Sequence, residues 1–168
     1  RKSYLGSPLE FSRVSSGYGM RFHPISGRQK AHLGVDYAAP TGTPVRTIGD
    51  GVVSFAGWKG GYGNAIEVTH RDNQTTLFAH LSRIDVRKGQ KVSQGDRLGA
   101  VGSTGASTGP HLHFEFRDRG VHRDPLEIAR QSENIPVSPT FRARFEAVAQ
   151  SQRQHLAAAA TVQQASAE

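Results

Sequence analysis

The chain has 168 residues, and its 21 Lys and Arg against 14 Asp and Glu give a formal net charge of +7. This length suffices for one domain with a hydrophobic core, and the absence of cysteine excludes disulfide bonds and thiolate metal sites, so that histidine and carboxylate remain as strong metal ligands. The basic residues are scattered without interleaved aromatic residues, so we expect no nucleic-acid partner.

The N-terminal part of the chain, residues 1–31, mixes extended stretches with loop signals and predicts an extended segment. The chain does not begin with methionine, and it contains no signal peptide and no long apolar run. We therefore expect a processed or excised part of a longer protein, in which an export signal, a membrane anchor or a regulatory domain lies upstream.

The middle of the chain, from Val45 to about Val101, consists of short strand-like runs separated by glycine-containing turns. The segment HRDNQ lies between two β-branched runs and predicts a hairpin turn. The 19 glycines and 8 prolines also indicate a fold rich in strands and turns. After Pro125 the segment PLEIARQ predicts a short helix, and the alanine-rich end is expected to be helical and then disordered.

The segment HLHFEFR, which begins at His111, alternates between apolar and polar residues. Side chains in a strand point to opposite faces with period two. One face of the predicted strand is therefore a core-facing apolar row, and the other is a polar row that two imidazoles lead. The apolar row is Leu112, Phe114 and Phe116, and the polar row is His111, His113, Glu115 and Arg117.

Further upstream, the segment HLGVD places His32 and Asp36 four residues apart. A helix would align the two side chains, but Gly34 and the following AAPTGTP disfavour a helix here. A straight extended segment would separate them by roughly 13 Å, too far for two ligands that each lie about 2 Å from one ion. If both bind the same metal, the chain must bend between them, and Gly34 permits such a bend.

Together these segments indicate a metal site. A His, His, Asp ligand set with a position left for water is typical of catalytic zinc, although the same donors suit iron or manganese. Histidines that are not ligands are available as a base or an oxyanion donor, and the strand-like run LFAHLS contributes His80. Each signal is weak alone, because a single histidine in a strand is usually a surface or hydrogen-bonded core residue.

The motifs HLGVD, GTPV, GDGVV, GN, FAHLS, VGSTG and STGPHLHFE, in this order, resemble the M23 family of zinc metallopeptidases, the lysostaphin or LytM-type endopeptidases of bacterial cell walls. The resemblance covers about residues 15–128. It implies a mainly antiparallel β-sheet or sandwich of the LytM type with an open groove. It also implies a catalytic domain over residues 32–130, with 1–31 packing on it and 131–168 as a helical or disordered extension.

The resemblance further implies roles for individual residues. His32, Asp36 and His113 match the ligands of Zn²⁺, whereas His80 and His111 match the two non-ligand histidines that activate water and stabilise the oxyanion. The expected function is hydrolysis of peptidoglycan cross-links by metal-activated water, with D-Ala–meso-diaminopimelate bonds ranked above glycine bridges. The expected location is the periplasm or cell envelope.

Two other functions are compatible with parts of this pattern. A non-catalytic or autoinhibited LytM-type domain could bind peptidoglycan and regulate other wall hydrolases. The run VRKGQKVSQGDRLGAVGS also resembles the hairpins of biotinyl and lipoyl carrier domains, but it lacks the modified lysine in its expected setting and would leave the His and Asp residues unexplained. Tyr18, Arg21 and His23 lie just before the first expected ligand and could line the groove, but we favour a structural role for each. We interpret Asn64 as a turn or strand-pairing residue near the site.

Overall fold

The structure of this protein is a computed structural model that describes residues 4–10, 13–23 and 28–133. The predicted C-terminal extension lies outside these residues beyond Glu133, and the side chains of Arg21 and His23 are also outside the description. In chain order the elements are β1 (Arg13–Ser16), β2 (Gly19–His23), β3 (Arg28–His32), β4 (Val35–Ala38), β5 (Pro44–Arg46), β6 (Gly51–Trp58), β7 (Asn64–Thr69), β8 (Gln74–Ile84), β9 (Lys91–Val92), β10 (Arg97–Val101), β11 (His111–Asp118), β12 (Val121–Arg123) and α1 (Pro125–Glu133).

Ten of these strands form one antiparallel sheet. Seven of them lie side by side in the order β1–β4–β11–β8–β7–β6–β9, β10 pairs with β5 and β8, and β12 pairs with β11. The strands β2 and β3 form a separate hairpin. The prediction of a mainly antiparallel β fold with a short helix near the end is therefore confirmed, and no helix in the described ranges is long and apolar enough to span a membrane.

The predicted turn at HRDNQ joins β7 and β8 as a hairpin. His70 N–H donates a hydrogen bond to the carbonyl of Gln74 (2.7 Å), which closes the turn. Asp72 and Asn73 adopt left-handed conformations with φ of 60° and 58°, a region that Asp and Asn tolerate better than other non-glycine residues. The local sequence thus explains this connection.

The strand β11 contributes buried apolar side chains to the hydrophobic core. Its apolar residues Leu112, Phe114 and Phe116 are at most 2% exposed, and burial of each contributes about 1.5–3 kcal/mol. Phe114 packs against Phe78 of β8 with ring centroids 5.1 Å apart. A shift in register by one residue would turn this row toward the polar face, so hydrophobic burial fixes which side chains β11 presents there.

The N-terminal segment packs on the same core. Leu9 is 1% exposed, and the Leu5 N–H donates to the carbonyl of Ile48 (2.8 Å). Tyr4 is also buried, and its backbone N–H donates to the hydroxyl of Ser132 in α1 (3.0 Å). Tyr4, Leu5 and Leu9 are thus held by main-chain hydrogen bonds and apolar packing.

Candidate metal centre

The pair His32 and Asp36 lies on two consecutive strands that are joined by a bend. His32 ends β3 and Asp36 lies in β4, with only Leu33 and Gly34 between the strands. The His32 Nε2 atom is 3.3 Å from Oδ2 of Asp36, so the chain bends between the two residues. At Gly34 the glycine is required by space, because a Cβ atom there would lie 2.8 Å from Cε1 of His113 and 2.6 Å from the carbonyl oxygen of Phe114.

His113 joins this pair through strand pairing. The strands β4 and β11 are antiparallel neighbours in a register that places His113 opposite Asp36, so both side chains point to the same face. His113 Nδ1 lies 2.8 Å from Oδ1 of Asp36, a residue 77 positions away in the sequence. One potential ligand atom from each of His32, Asp36 and His113 lies within 4.8 Å of the others. Two distant segments of the chain thus converge on one point.

Hydrogen bonds fix which nitrogen of each imidazole faces the cluster. His32 Nδ1 donates to the carbonyl of Gly17 (2.6 Å), which leaves the Nε2 lone pair of the neutral imidazole available to a metal on the side of Asp36. His113 Nε2 donates to the carboxylate of Glu115 (2.8 Å), which leaves Nδ1 on the side of the cluster. Ligating histidines commonly donate their second N–H to a carbonyl or carboxylate in this way. The donor set therefore fits a zinc ion with two imidazoles and one carboxylate.

The electrostatics of the cluster also favour a cation. Burial lowers the pKa of His113, but hydrogen bonds to Asp36 and Glu115 outweigh burial and raise it to about 9. Burial also opposes ionisation of Asp36, yet the hydrogen bond and charge of His113 hold the pKa of this carboxyl below its usual value. In the absence of a metal, the His113 imidazolium supplies positive charge between two carboxylates. A divalent cation can replace the Nδ1 proton there.

Glu115 is the buried centre of a polar network behind His113. This residue is 2% exposed, and its carboxylate accepts hydrogen bonds from Tyr62 Oη (2.7 Å) and Arg117 Nη2 (3.0 Å) in addition to His113, and lies 3.1 Å from His122 Nε2. Burial raises the pKa of Glu115, but the hydrogen bonds from His113, Tyr62 and Arg117 and the charge of His113 prevail and lower it to about 2. The residue is therefore an ionised carboxylate held almost entirely away from water.

His111 and His80 face each other next to the cluster. Their ring centroids are 4.8 Å apart, and His111 Nε2 lies 3.9 Å from Oδ1 of Asp36. His111 Nδ1 donates to the carbonyl of Gly109 (2.9 Å), and His80 Nδ1 donates to the carbonyl of Thr104 (2.8 Å). Both residues therefore keep a free Nε2 atom. Burial lowers the pKa of His80, which favours its neutral form.

His80 reaches this position through an irregularity of β8. Ile66 pairs with Phe78, but Asn64 pairs with Leu81, so β8 has one residue more than β7 over this stretch. His80 adopts a left-handed conformation with φ of 62°, which costs on the order of 1–3 kcal/mol for a residue of this type. Such bulges change the direction of a side chain and are frequent next to active sites.

An open groove of about 480 Å³ runs over the cluster. Its lining brings together all five residues that the sequence analysis singled out. The remaining lining consists of side chains and backbone from the connection between β6 and β7 and from the loop before β11. The lining residues are His32, Asp36, Gly61, Tyr62, His80, Ala106, Ser107, Thr108, His111 and His113.

Two residues that matter for this geometry were not given a role by sequence reasoning. Tyr62 stacks on the ring of His113 (27° between planes, centroids 5.9 Å apart) and donates its hydroxyl hydrogen to Glu115. The position of Glu115 two residues after His113 in a strand places it on the same face, and this was the available signal. Nothing in the sequence around Tyr62 reveals its contact with β11, which is distant in the chain.

Other histidines and the predicted structural residues lie in different settings. His70 is buried, and its two ring nitrogens are hydrogen-bonded to the carbonyl of Asp50 (2.8 Å) and the hydroxyl of Thr76 (2.9 Å). It therefore has no free nitrogen for a ligand. Tyr18 donates its hydroxyl hydrogen to the carbonyl of His122 (3.0 Å), and Asn64 begins β7 with its amide Nδ2 bonded to the carbonyl of Leu81 (3.1 Å).

Several known proteins are similar to this chain in sequence. Residues 30–125 match the profile of peptidase family M23. The DD-carboxypeptidase/endopeptidase Mpg of Neisseria meningitidis is 51% identical over 122 residues, which are 73% of this chain and 28% of that protein. The peptidoglycan DD-endopeptidase ShyC of Vibrio cholerae is 45% identical over 129 residues, 76% of this chain and 30% of that protein. The chain thus spans less than a third of these relatives.

The fold also has a close counterpart among solved structures. A zinc-containing peptidase from Vibrio cholerae superimposes with a TM-score of 0.71 at 36% sequence identity, covering 74% of this chain and 40% of that protein.

Proposed function

Because the chain belongs to peptidase family M23, we propose that it is a zinc-dependent endopeptidase that hydrolyses peptide cross-links of bacterial peptidoglycan. The observation that carries this proposal is the convergence of His32, Asp36 and His113 at the floor of an open groove, with His80 and His111 beside them. The names of the relatives ShyC and Mpg support a peptidoglycan substrate and a bond between D-amino acids.

Three residues would hold the metal. His32 would bind through Nε2, His113 through Nδ1 and Asp36 through its carboxylate, because the other imidazole nitrogens are occupied by Gly17 and Glu115. A zinc ion bound there supplies Lewis acidity, which lowers the pKa of water and polarises a carbonyl group. The structural neighbour from Vibrio cholerae is a zinc-containing peptidase, and this likeness supports the choice of zinc.

The two remaining histidines would handle protons and developing charge. His80 and His111 each have one nitrogen bonded to a backbone carbonyl and a free Nε2 atom. A neutral imidazole accepts a proton from the attacking water, and a protonated one donates to the oxyanion or to the leaving amine. The two rings lie 4.8 Å apart beside the cluster, which supports a shared role at one scissile peptide, so the two tasks need not belong to one residue.

The proposed scissile bond is the D-Ala–meso-diaminopimelate cross-link. The name DD-endopeptidase is carried by relatives that match this chain over about three quarters of its length. Stem peptides carry free carboxylates, and the net charge of +7 favours acidic partners. Because this substrate lies in the cell wall, we also propose that the protein acts in the periplasm or cell envelope. The complete His/Asp set argues for a peptidase rather than a non-catalytic regulator.

The proposal is tested with defined muropeptides. The 168-residue chain, loaded with zinc, is incubated with purified D-Ala–meso-diaminopimelate cross-linked dimers and in parallel with glycine-bridged dimers, and the products are identified by mass spectrometry. We expect monomers from the first substrate, loss of activity after chelation and recovery when zinc is restored. Uncut dimers with a zinc-loaded chain, or cleavage that survives complete metal removal, would contradict the proposal.

A further inference from the structure

The bulge in β8 turns His80 toward the groove, and the orientation of its imidazole depends on contacts outside this strand. His80 is the last residue of β8 before the strand changes neighbours, since Ala79 pairs with β11 and Leu81 pairs with β10. At this point His80 has a left-handed backbone, and no regular ladder fixes its side chain. A residue outside β8 must therefore determine where the imidazole points.

Thr104 makes three contacts around this bulge. Its backbone carbonyl accepts the hydrogen bond from His80 Nδ1 (2.8 Å). Its hydroxyl donates to the carbonyl of Leu81 (2.8 Å) and accepts from the backbone N–H of Asn64 (3.1 Å). One side chain thus ties the loop before β11 to both β7 and β8, while the main chain of the same residue holds the imidazole.

Asn64, Gly63 and Gly105 add further contacts between the loop before β11 and the segment that begins β7. The Asn64 amide donates to the same Leu81 carbonyl that the Thr104 hydroxyl reaches (3.1 Å). Gly63 packs so closely on Thr104 that a Cβ atom would lie 2.4 Å from its carbonyl carbon, and a Cβ atom on Gly105 would lie 2.4 Å from the Gly63 nitrogen. Both glycines have positive φ, 68° and 75°. The loop and the β6–β7 connection are therefore in direct backbone contact.

We propose that Thr104 is a positioning residue that holds His80 in its bulged conformation, with Nδ1 engaged and Nε2 left free for the reaction in the groove. This inference rests on the proposed peptidase function. It makes the hydroxyl of Thr104 important for turnover although Thr104 is not among the residues that line the groove. The carbonyl that accepts the His80 hydrogen bond belongs to the loop before β11. The proposal therefore requires this loop to be packed against β7 and β8 when His80 takes part in the reaction.

The first experiment compares conservative variants. Thr104→Val keeps the size of the side chain but removes the hydroxyl, whereas Thr104→Ser keeps the hydroxyl. Thr69→Val is the matched control, because it removes a hydroxyl at the opposite end of β7, where Thr69 bonds to Ser54 (2.9 Å). The kinetic constants kcat and KM are measured on cross-linked dimers, and bound zinc is quantified for each variant.

We expect Thr104→Val to reduce kcat by about tenfold or more with little change in KM or bound zinc, as for other residues that orient a reactive side chain. Thr104→Ser should retain most of kcat, and Thr69→Val should match the unsubstituted chain. Equal kcat for Thr104→Val and the unsubstituted chain would overturn the proposal, as would an equal loss for Thr104→Ser.

The second experiment is independent of activity. Long-range ¹H–¹⁵N NMR spectra identify the protonated nitrogen of each histidine, and His80→Gln assigns the signals. In the unsubstituted chain His80 should carry its hydrogen on Nδ1, and Thr104→Val should weaken this preference. An Nε2–H form of His80 in the unsubstituted chain would overturn the proposal even if Thr104→Val does not fold. If no peptide is cleaved at all, the proposed function fails while these spectra still decide the role of Thr104.

Discussion

Glu115 and His113 form a hydrogen-bonded pair in which the Glu115 carboxylate lies 2.8 Å from His113 Nε2. The carboxylate is buried, and it determines that Nδ1 of His113 is the nitrogen presented to Asp36. The strand β11 therefore supplies both a candidate metal ligand and the group that orients it, two residues apart on one face.

The Glu115→Gln variant should bind zinc more weakly, because a neutral amide is a poorer acceptor for His113 and leaves Arg117 without a buried counter-charge. A loss of about 10–100-fold in affinity is typical for such an orienting partner. Zinc affinity is measured by competition with a chromogenic chelator. The control is Glu67→Gln, since Glu67 is a half-buried carboxylate beside Arg117 without contact to His113. Equal affinities for the two variants would contradict this role.

Substitution should separate metal binding from turnover. His113→Ala removes a proposed ligand and should lose zinc and activity together. By contrast, His80→Ala and His111→Ala should keep zinc and lose turnover, by about 10²–10⁴-fold for a general acid or base. Zinc content by atomic absorption and cleavage rates are measured on the same samples. An unchanged rate for His80→Ala would remove its catalytic assignment, and loss of zinc from this variant would make it a ligand.

Gly34→Ala should distort the candidate metal centre by displacing β11. The added Cβ would lie 2.6 Å from the Phe114 carbonyl oxygen and 2.8 Å from His113, so β4 and β11 must move apart. Overpacking of this kind costs about 1–3 kcal/mol, and zinc binding should weaken as well. Urea unfolding and chelator competition measure both effects. Leu33→Ala, at the exposed neighbouring position, should change the free energy of unfolding by less than about 0.5 kcal/mol. A change equally small for Gly34→Ala would show that the turn tolerates added volume.

His70 should make stability depend on pH. Burial lowers the pKa of this histidine below 6.5, against the raising effect of the Asp50 carbonyl. The unfolded chain then binds the proton more readily than the folded one, so stability is complete above about pH 6.5 and falls as the pH drops below it. The slope from one such group is at most about 1.4 kcal/mol per pH unit.

The measurement for His70 is urea unfolding between about pH 4.5 and 8 for the unsubstituted chain and for His70→Gln, a window that brackets the ordinary histidine pKa. Because other groups titrate in both proteins, the quantity that matters is the difference between the two pH profiles. We expect the unsubstituted chain to lose more free energy of unfolding than His70→Gln as the pH falls through about 6.5. Parallel profiles would show that His70 does not contribute.

The sequence predicts the parts of this structure that depend on neighbouring residues. Alternation in HLHFEFR gives both faces of β11, and HRDNQ gives the hairpin between β7 and β8, because side-chain period and turn chemistry are local. The spacing of His32 and Asp36 predicts a bend only on the condition that both bind one metal. The structure adds that Gly34 is needed for the close approach of β11, because a Cβ atom there would lie 2.6 Å from the Phe114 carbonyl oxygen. The residues alone indicate that HLH and HLGVD contribute to one metal site, but the division into ligands and non-ligand histidines required the family resemblance.

Other features escape sequence reasoning because they depend on long-range register. The run LFAHLS does not show that β8 gains a residue at His80 relative to β7. The contact of Tyr62 with Glu115 and the three bonds of Thr104 join segments that are about 20–50 positions apart. Such contacts are set by how strands pair across the sheet, which composition and spacing within one segment do not specify.

The two faces of β11 also have a consequence for any preparation of this protein. The same strand buries two phenylalanines and displays both histidines, so a molecule whose strand slipped by one position would expose its aromatic rings and tend to aggregate. Molecules with a shifted β11 register would therefore be expected in the insoluble fraction. Under the proposed zinc-dependent function, a soluble sample with reduced specific activity is expected to be incompletely loaded with zinc, and titration with the metal should restore it.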